Sequence, residues 1–282
     1  MSLVTIENDT LKVSIQTMGA ELQSIKDANG VERLWQGDPA FWANRAPILF
    51  PVAGGFRDDV YELDGTRYPM PKHGFAKKVV WELEHQAPGT ATFVTRHKDP
   101  GFPFDYALRA VYTLEGDALH VDYATENLGA VPFYFSVGAH EAYATPEGID
   151  HYSLVFDEPE TLLNSPLVGN LTTHDTVTLT ENCDTLPLTY DYFKVDALVL
   201  RTVKSRGVTL KSDLHPRKLH VAFPQHDVLM LWTKPGAGYL CIEPWCNAPD
   251  YVDADYRIDH KPGFMRLAPQ EKITRRHTIT VR

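Results

Sequence analysis

Apolar and polar residues alternate along nearly the whole chain. In Tyr106–Leu114 one face carries Tyr106, Leu108, Ala110, Tyr112 and Leu114. In Leu119–Tyr123 the apolar set is Leu119, Val121 and Tyr123, with His120 and Asp122 opposite. A period of two predicts half-buried antiparallel strands. The same reading predicts strands near Val4–Ile6, Lys12–Ile15, Val79–Glu84, Ala91–Thr95 and Pro132–Val137. It predicts others near Leu198–Thr202, Val208–Lys211, Leu219–Phe223, Val228–Trp232, Tyr239–Ile242 and Ile273–Val281. Turn chemistry separates them. Asp64-Gly65, between Tyr61 and Tyr68, is a type I′ hairpin signal. Glu115-Gly116-Asp117, Ser205-Arg206-Gly207 and Pro235–Gly238 punctuate later strand pairs. Helical turns are expected only at Pro39–Asn44 and Tyr190–Phe193. With no repeat and no linker, the pattern predicts one all-β domain over residues 1–282, built as two packed sheets.

Composition adds limits. The chain has 282 residues, 43% of them apolar, enough for a substantial core, and no low-complexity stretch that would signal long disorder. A formal charge of −10 argues against a nucleic-acid surface, which needs clustered Lys and Arg, and weakens docking on an anionic membrane. Met1–Gln16 lacks the basic and apolar regions of a signal peptide, and no window resembles a membrane span. Cys183, Cys241 and Cys246 cannot all pair within one chain, so the expected compartment is the cytoplasm. Asn8-Asp9-Thr10 and Asn170-Leu171-Thr172 fit the glycosylation triplet, but without a secretory route they read as chance.

Four segments set ionisable groups beside turn residues or aromatics. Arg45 precedes a proline-bounded apolar run, Ala46–Pro51; it offers a fork for hydroxyls or phosphate, though alone it reads as a surface arginine. His73, in Pro71-Lys72-His73-Gly74, lies on a bend where backbone can approach a ligand, or is a solvated loop histidine. His140 follows a strand and Gly138, among aromatics, and competes with a buried structural histidine. Glu243 ends an apolar strand and is flanked by Pro244 and Trp245. A carboxylate there costs stability unless it is paired or used. Asp196 precedes a strand and equally suits a capping role. Other chemistries fail on spacing. Cys241 and Cys246 have no second pair for a zinc site, no HExxH helix accompanies His215, His220 and His226, and no nucleophile elbow, P-loop or dinucleotide fingerprint occurs. Imidazole and carboxylate between aromatic walls remain, a toolkit for acid–base work on a sugar.

The ordered set Arg45-x-Pro47-x-x-Phe50-Pro51, His73-Gly74-Phe75-Ala76, Gly138-x-His140, Asp196-Ala197-Leu198 and Glu243-Pro244-Trp245 resembles the aldose 1-epimerase (galactose mutarotase-like) family, and within it the LacX-like branch. The resemblance spans essentially the whole chain. It implies a β-supersandwich of two large antiparallel sheets and a cofactor-independent enzyme acting on a small-molecule sugar, with no metal. Glu243 matches the general base and His140 the general acid; His73, Arg45 and Asp196 match substrate-holding positions, and Trp245 an apolar wall. A charged His140 would need a nearby carboxylate to hold its proton against desolvation. Glu141 departs from the pattern, because many relatives carry an uncharged residue after this histidine. Arg45 or Lys72 suits a phosphorylated hexose. The rivals are glycoside hydrolysis, which would use two carboxylates such as Asp196 and Glu243, and a non-catalytic carbohydrate-binding sandwich.

Overall fold

The predicted alternation becomes backbone pairing along most of the chain. Tyr106–Glu115 and Ala118–Asn127 form an antiparallel hairpin in register from Tyr106 opposite Asn127 to Glu115 opposite Ala118. Val60–Leu63 pairs with Thr66–Pro69 across Asp64 and Gly65, whose φ values of 50° and 75° are those of a type I′ turn. The computed structural model describes residues 2–282, and its regular structure is strand interrupted by short 3₁₀ turns.

Thirteen strands form one long antiparallel sheet. It begins at Glu141–Ala144 and passes through Tyr239–Trp245, Val228–Trp232 and Leu198–Leu200 to Tyr152–Asn164. It continues through Gly207–Ser212, Lys218–Ala222 and Lys272–Val281 to Ala118–Asn127, Tyr106–Glu115, Thr90–Thr95 and Glu82–Ala87. Val177–Pro187 pairs with Tyr152–Asn164 off this path. A separate three-stranded sheet holds Leu3–Glu7, Leu11–Gln16 and Leu22–Asp27. The long sheet curls so that its two ends share one core, in which Leu231, Leu240 and Ile242 cluster with Leu119, Val121 and Ile279. The fold is thus the all-β, large-sheet sandwich the pattern implied. Among the described residues no helix is long and apolar enough to cross a membrane.

Three expectations need correction. Val79–Glu84 is displaced: Trp81 is buried with its indole N–H donated to the Ala76 carbonyl, and the strand starts only at Glu82. Pro39–Asn44 is a turn, tied by Phe41 and Trp42 amides to the Asp38 carbonyl, and not helix. Ser205–Gly207 does not join neighbouring strands, because Leu198–Leu200 and Gly207–Ser212 each pair with Tyr152–Asn164. That long strand went unpredicted. Its register shifts between Val155 and Leu163 break the period of two, and Pro159 adds a turn-like signal.

Tyr112 joins the long sheet to the N-terminal one: its buried hydroxyl donates to the Ala20 carbonyl at 2.6 Å. Tyr112→Phe should leave that carbonyl unpaired and destabilise the protein by about 1–2 kcal/mol. The check is thermal unfolding, with a midpoint lowered by roughly 2–8 °C for a chain of this size.

Candidate active site

The strand register assembles the site. Glu141 lies opposite Ile242 and Gly138 bridges Trp245, so the same register places His140 opposite Glu243. On the next strand Met230 faces Glu243 and Trp232 faces Cys241. Cross-strand partners share a face. Sequence alternation alone therefore gathers His140, Glu243, Met230, Trp232 and Trp245 on one side of the sheet. They line a cavity of about 390 Å³, together with Trp42, Lys72, His73, Lys77 and Asp196, and that volume is in the range of small-molecule sites.

At its centre Nε2 of His140 lies 3.4 Å from Oε2 of Glu243, with the two side chains 12% and 2% exposed. Trp42 stacks on the imidazole with ring centres 4.9 Å apart, and Trp232 meets it edge-on at 6.0 Å. Trp245 donates its indole N–H to the Ala139 carbonyl at 3.0 Å. Gly138 makes room for that indole: a Cβ there would sit 2.7 Å from Trp245 Cδ1 and 2.9 Å from Ala53 Cβ.

His73 comes from a different part of the chain. It has a φ of 66°, followed by Gly74 at 62°, where any Cβ would fall 2.0 Å from the Phe50 carbonyl oxygen. Only glycine fits there. The bend clamps His73 to Gly54: the His73 amide donates to the Gly54 carbonyl at 2.8 Å, and the Gly54 amide donates to His73 Nδ1 at 3.0 Å. Accepting at Nδ1 leaves the proton on Nε2 as a donor. Buried Asn247 holds the adjoining loop, bonding both the amide and the carbonyl of Ala53.

Burial controls the protonation states. It pushes His140 down to about 3, helped by the charges of Lys77 and Lys72. It drives Glu243 well above the usual carboxylate range, with Lys72 opposing and Glu141 adding to the rise. His73 is held well below its ordinary value by burial and then by His140. Burial thus disfavours the charged form of each partner. The expectation that a nearby carboxylate would raise His140 is not met: burial, with Lys77 and Lys72, lowers it. Lys77 is lowered to about 8, first by burial and then by Lys78 and Lys72. His140, Cys241 and Glu243 also offer ligand atoms that all lie within 4.8 Å of one another. A metal there would have to displace protons from Glu243 and from a Cys241 thiol that burial pushes well above its usual range.

Of the residues singled out in the sequence, His73, His140, Asp196, Glu243 and Trp245 line this cavity and Arg45 does not. Glu21 accepts from the amides of Arg45 and Ala46 at 2.9 Å, and the Arg45 guanidinium turns to Gln23 and to the Gln36 carbonyl. Its neighbours Asn44 and Pro47 reach the cavity instead. Asp196 lines the cavity and also bonds the Ala197 amide at 2.7 Å, so the turn role and the site position coincide. Trp42, Trp232 and Lys77 were missed. The alternation of Val228–Trp232 carried a signal for Trp232; nothing in the local pattern marked Trp42.

The aldose 1-epimerase family matches residues 2–280 of the chain. The chain belongs to the aldose 1-epimerase family. Chromosomal protein LacX of Lactococcus lactis is 31% identical over 297 residues, covering 99% of each chain. A galactose mutarotase related enzyme from Lactobacillus acidophilus superposes with a TM-score of 0.93 at 28% identity, covering 100% of this chain and 97% of that one. A galactose mutarotase-like protein from Lactobacillus casei gives 0.92 at 27% identity with 100% of both chains covered. The family, the fold and the enzyme class inferred from the five motifs therefore stand.

The same burial sets a pH dependence of stability. His73, His140 and His226, the last also lowered to about 3 by burial, stay neutral when folded but take up protons on unfolding below about pH 6.5. Glu243 works the other way above about pH 4.5, holding in the fold a proton that unfolding releases. Three protons taken up against one released should make stability rise from pH 4.5 to 6.5, by about 2–3 kcal/mol per unit. Urea midpoints measured across that window check the slope; a flat or falling profile contradicts it.

Proposed function

We propose that the protein interconverts the α and β anomers of an aldohexose, with His140 and Glu243 as its acid–base couple. The observation that carries this is the buried contact of His140 with Glu243, 3.4 Å apart at the centre of a tryptophan-lined cavity. Ring opening removes the C1 hydroxyl proton and delivers one to the ring oxygen. In the charge-separated tautomer, Glu243 carboxylate takes the first while His140 imidazolium gives the second. The step leaves a carboxylic acid and a neutral imidazole, the form that burial favours, facing the open-chain aldehyde. After rotation about C1–C2, Glu243 returns its proton to the carbonyl oxygen and His140 takes one from the C5 hydroxyl. Closure itself regenerates the imidazolium–carboxylate pair from which the cycle began. The site never acquires net charge, which a desolvated cavity would resist. His73 Nε2–H and Asp196 would hold substrate hydroxyls, and Trp245 with Trp42 would cover the sugar's C–H faces.

Glycoside hydrolysis, with Asp196 as the second carboxylate in the cavity, is less well supported, since the ionisable group in contact with Glu243 is the His140 imidazole. Three free cysteines, two of them buried, support the cytoplasm as the compartment.

A phosphorylated hexose is the second reading, favoured by Lys72 and Lys77. Both line the cavity and neither has an ion-pair partner among the described residues, in a protein whose net charge is −10.

Polarimetry or exchange NMR on freshly dissolved α-glucose, α-galactose and glucose 6-phosphate tests both readings. The protein should accelerate anomer exchange, and Glu243→Gln and His140→Asn should each lose about 10²–10⁴-fold. Near-normal rates in either variant remove that residue from its role. If the phosphorylated sugar is preferred, Lys77→Met should cut the 6-phosphate to free-sugar ratio of kcat/KM by about tenfold or more; an unchanged ratio assigns the neutral hexose.

A further inference from the structure

Glu141 follows His140 directly, yet its side chain leaves through the other face of the strand. It is registered opposite Ile242, one residue along from Glu243, and successive strand residues face opposite ways. There its Oε1 lies 3.0 Å from Nε2 of His277, with exposures of 1% and 0%. His277 belongs to Lys272–Val281, seven positions away in the sheet order, so the contact crosses the interior of the sandwich. The strand that begins at Glu141 is only four residues long and lies at the end of the sheet.

A buried acid–imidazole contact of this kind is poor value as a stabilising element, because desolvation offsets most of its attraction. Its satisfaction is also incomplete. Glu141 Oε2 and His277 Nδ1 have no hydrogen-bond partner among the described residues. The charge does reach its surroundings. Tyr112 and Tyr123, from the two strands that follow Lys272–Val281 in the sheet order, and Tyr143 from its own strand are raised well above the ordinary range, by burial first and by Glu141 next. His226 adds a second imidazole, 6.3 Å from that of His277. From the Tyr239–Trp245 strand, Cys241 and Glu243 complete the titratable groups around the carboxylate, and both feel its charge. On the cavity side Glu243 is faced by His140, Lys72, Lys77 and Asp196, and Lys72 opposes Glu141.

We propose that Glu141 is a positioning residue for the epimerase reaction: anchored across the interior by His277, its carboxylate sits behind the site and keeps the shared proton on the His140–Glu243 pair. The inference rests on the proposed function only for its kinetic consequence. Removing the charge weakens proton binding to the pair in both of its titration steps, so both limbs of the pH profile move the same way.

The test is Glu141→Gln, which keeps the volume and a hydrogen bond to His277. Carboxyl-labelled glutamate NMR follows Glu243, assigned by its loss in Glu243→Gln. Its midpoint should fall by about half a pH unit or more, and both limbs of the kcat/KM profile for anomer exchange should shift to lower pH. An unmoved midpoint with only a lower Tm overturns the proposal, since a purely structural tie would do no more. If the unmodified protein fails to interconvert anomers, the proposed function falls, while the carboxyl titration still decides the role of Glu141. Should the single variant fail to fold, the double variant Glu141→Gln with His277→Gln leaves no charge unpaired and is judged by the same midpoint.

Discussion

Glu141 opposite Ile242 and Gly138 opposite Trp245 belong to one antiparallel register, and that register is what sets His140 against Glu243. A slip of one residue would turn His140 into the interior and bring Glu141 into the cavity. The fold resists such a slip from both sides. On one side Glu141 is bonded to His277 across the core. On the other, Ala142 and Ala144 donate to the carbonyls of Arg45 and Arg33, and Trp42 stacks on the imidazole. A short end strand would otherwise fray; here it is bordered on both edges.

The second constraint is electrostatic and follows from the first. A register that buries both partners removes the water that would stabilise either charge, so His140 falls to about 3 and Glu243 rises. Neither group alone suits chemistry near neutrality by these shifts. As a pair they do, because moving one proton between them changes the dipole of the site and not its charge. Lys72 favours the carboxylate tautomer of Glu243 and Glu141 the protonated one. A lysine on the cavity side and an acid on the core side thus act on the pair in opposite directions.

Much of this was legible in the sequence, for a definite reason. Strand alternation is a local property, and so are the turn residues that end each strand. Glu243 stood out because an acid at the end of an apolar strand is locally anomalous. What was not legible depends on contacts between distant segments. The Tyr152–Asn164 strand was hidden by its own register shifts. Arg45 matched the family pattern by position, but its direction is decided by Glu21, Gln23 and Gln36, which the motif does not include. Trp42 joins the site only because a turn capped by Asp38 folds it over His140. The charge state of His140 was misjudged because proximity to an acid is visible in a motif, whereas the depth of burial is not.

The polar interior behind the site is the most informative departure from a simple sandwich core. Glu141, His226 and His277 are 1% exposed or less, and both nitrogens of His226 lack partners among the described residues. Apolar residues of similar volume at these positions would pack without any desolvation cost. A core shaped by stability alone would therefore hold leucine or phenylalanine there. Polar groups that carry a desolvation cost directly behind the face proposed to be catalytic are better explained by the chemistry than by the fold. On this view the two sides of one strand serve a single function: His140 meets the substrate, and Glu141 sets the proton affinity of the acid that His140 works with.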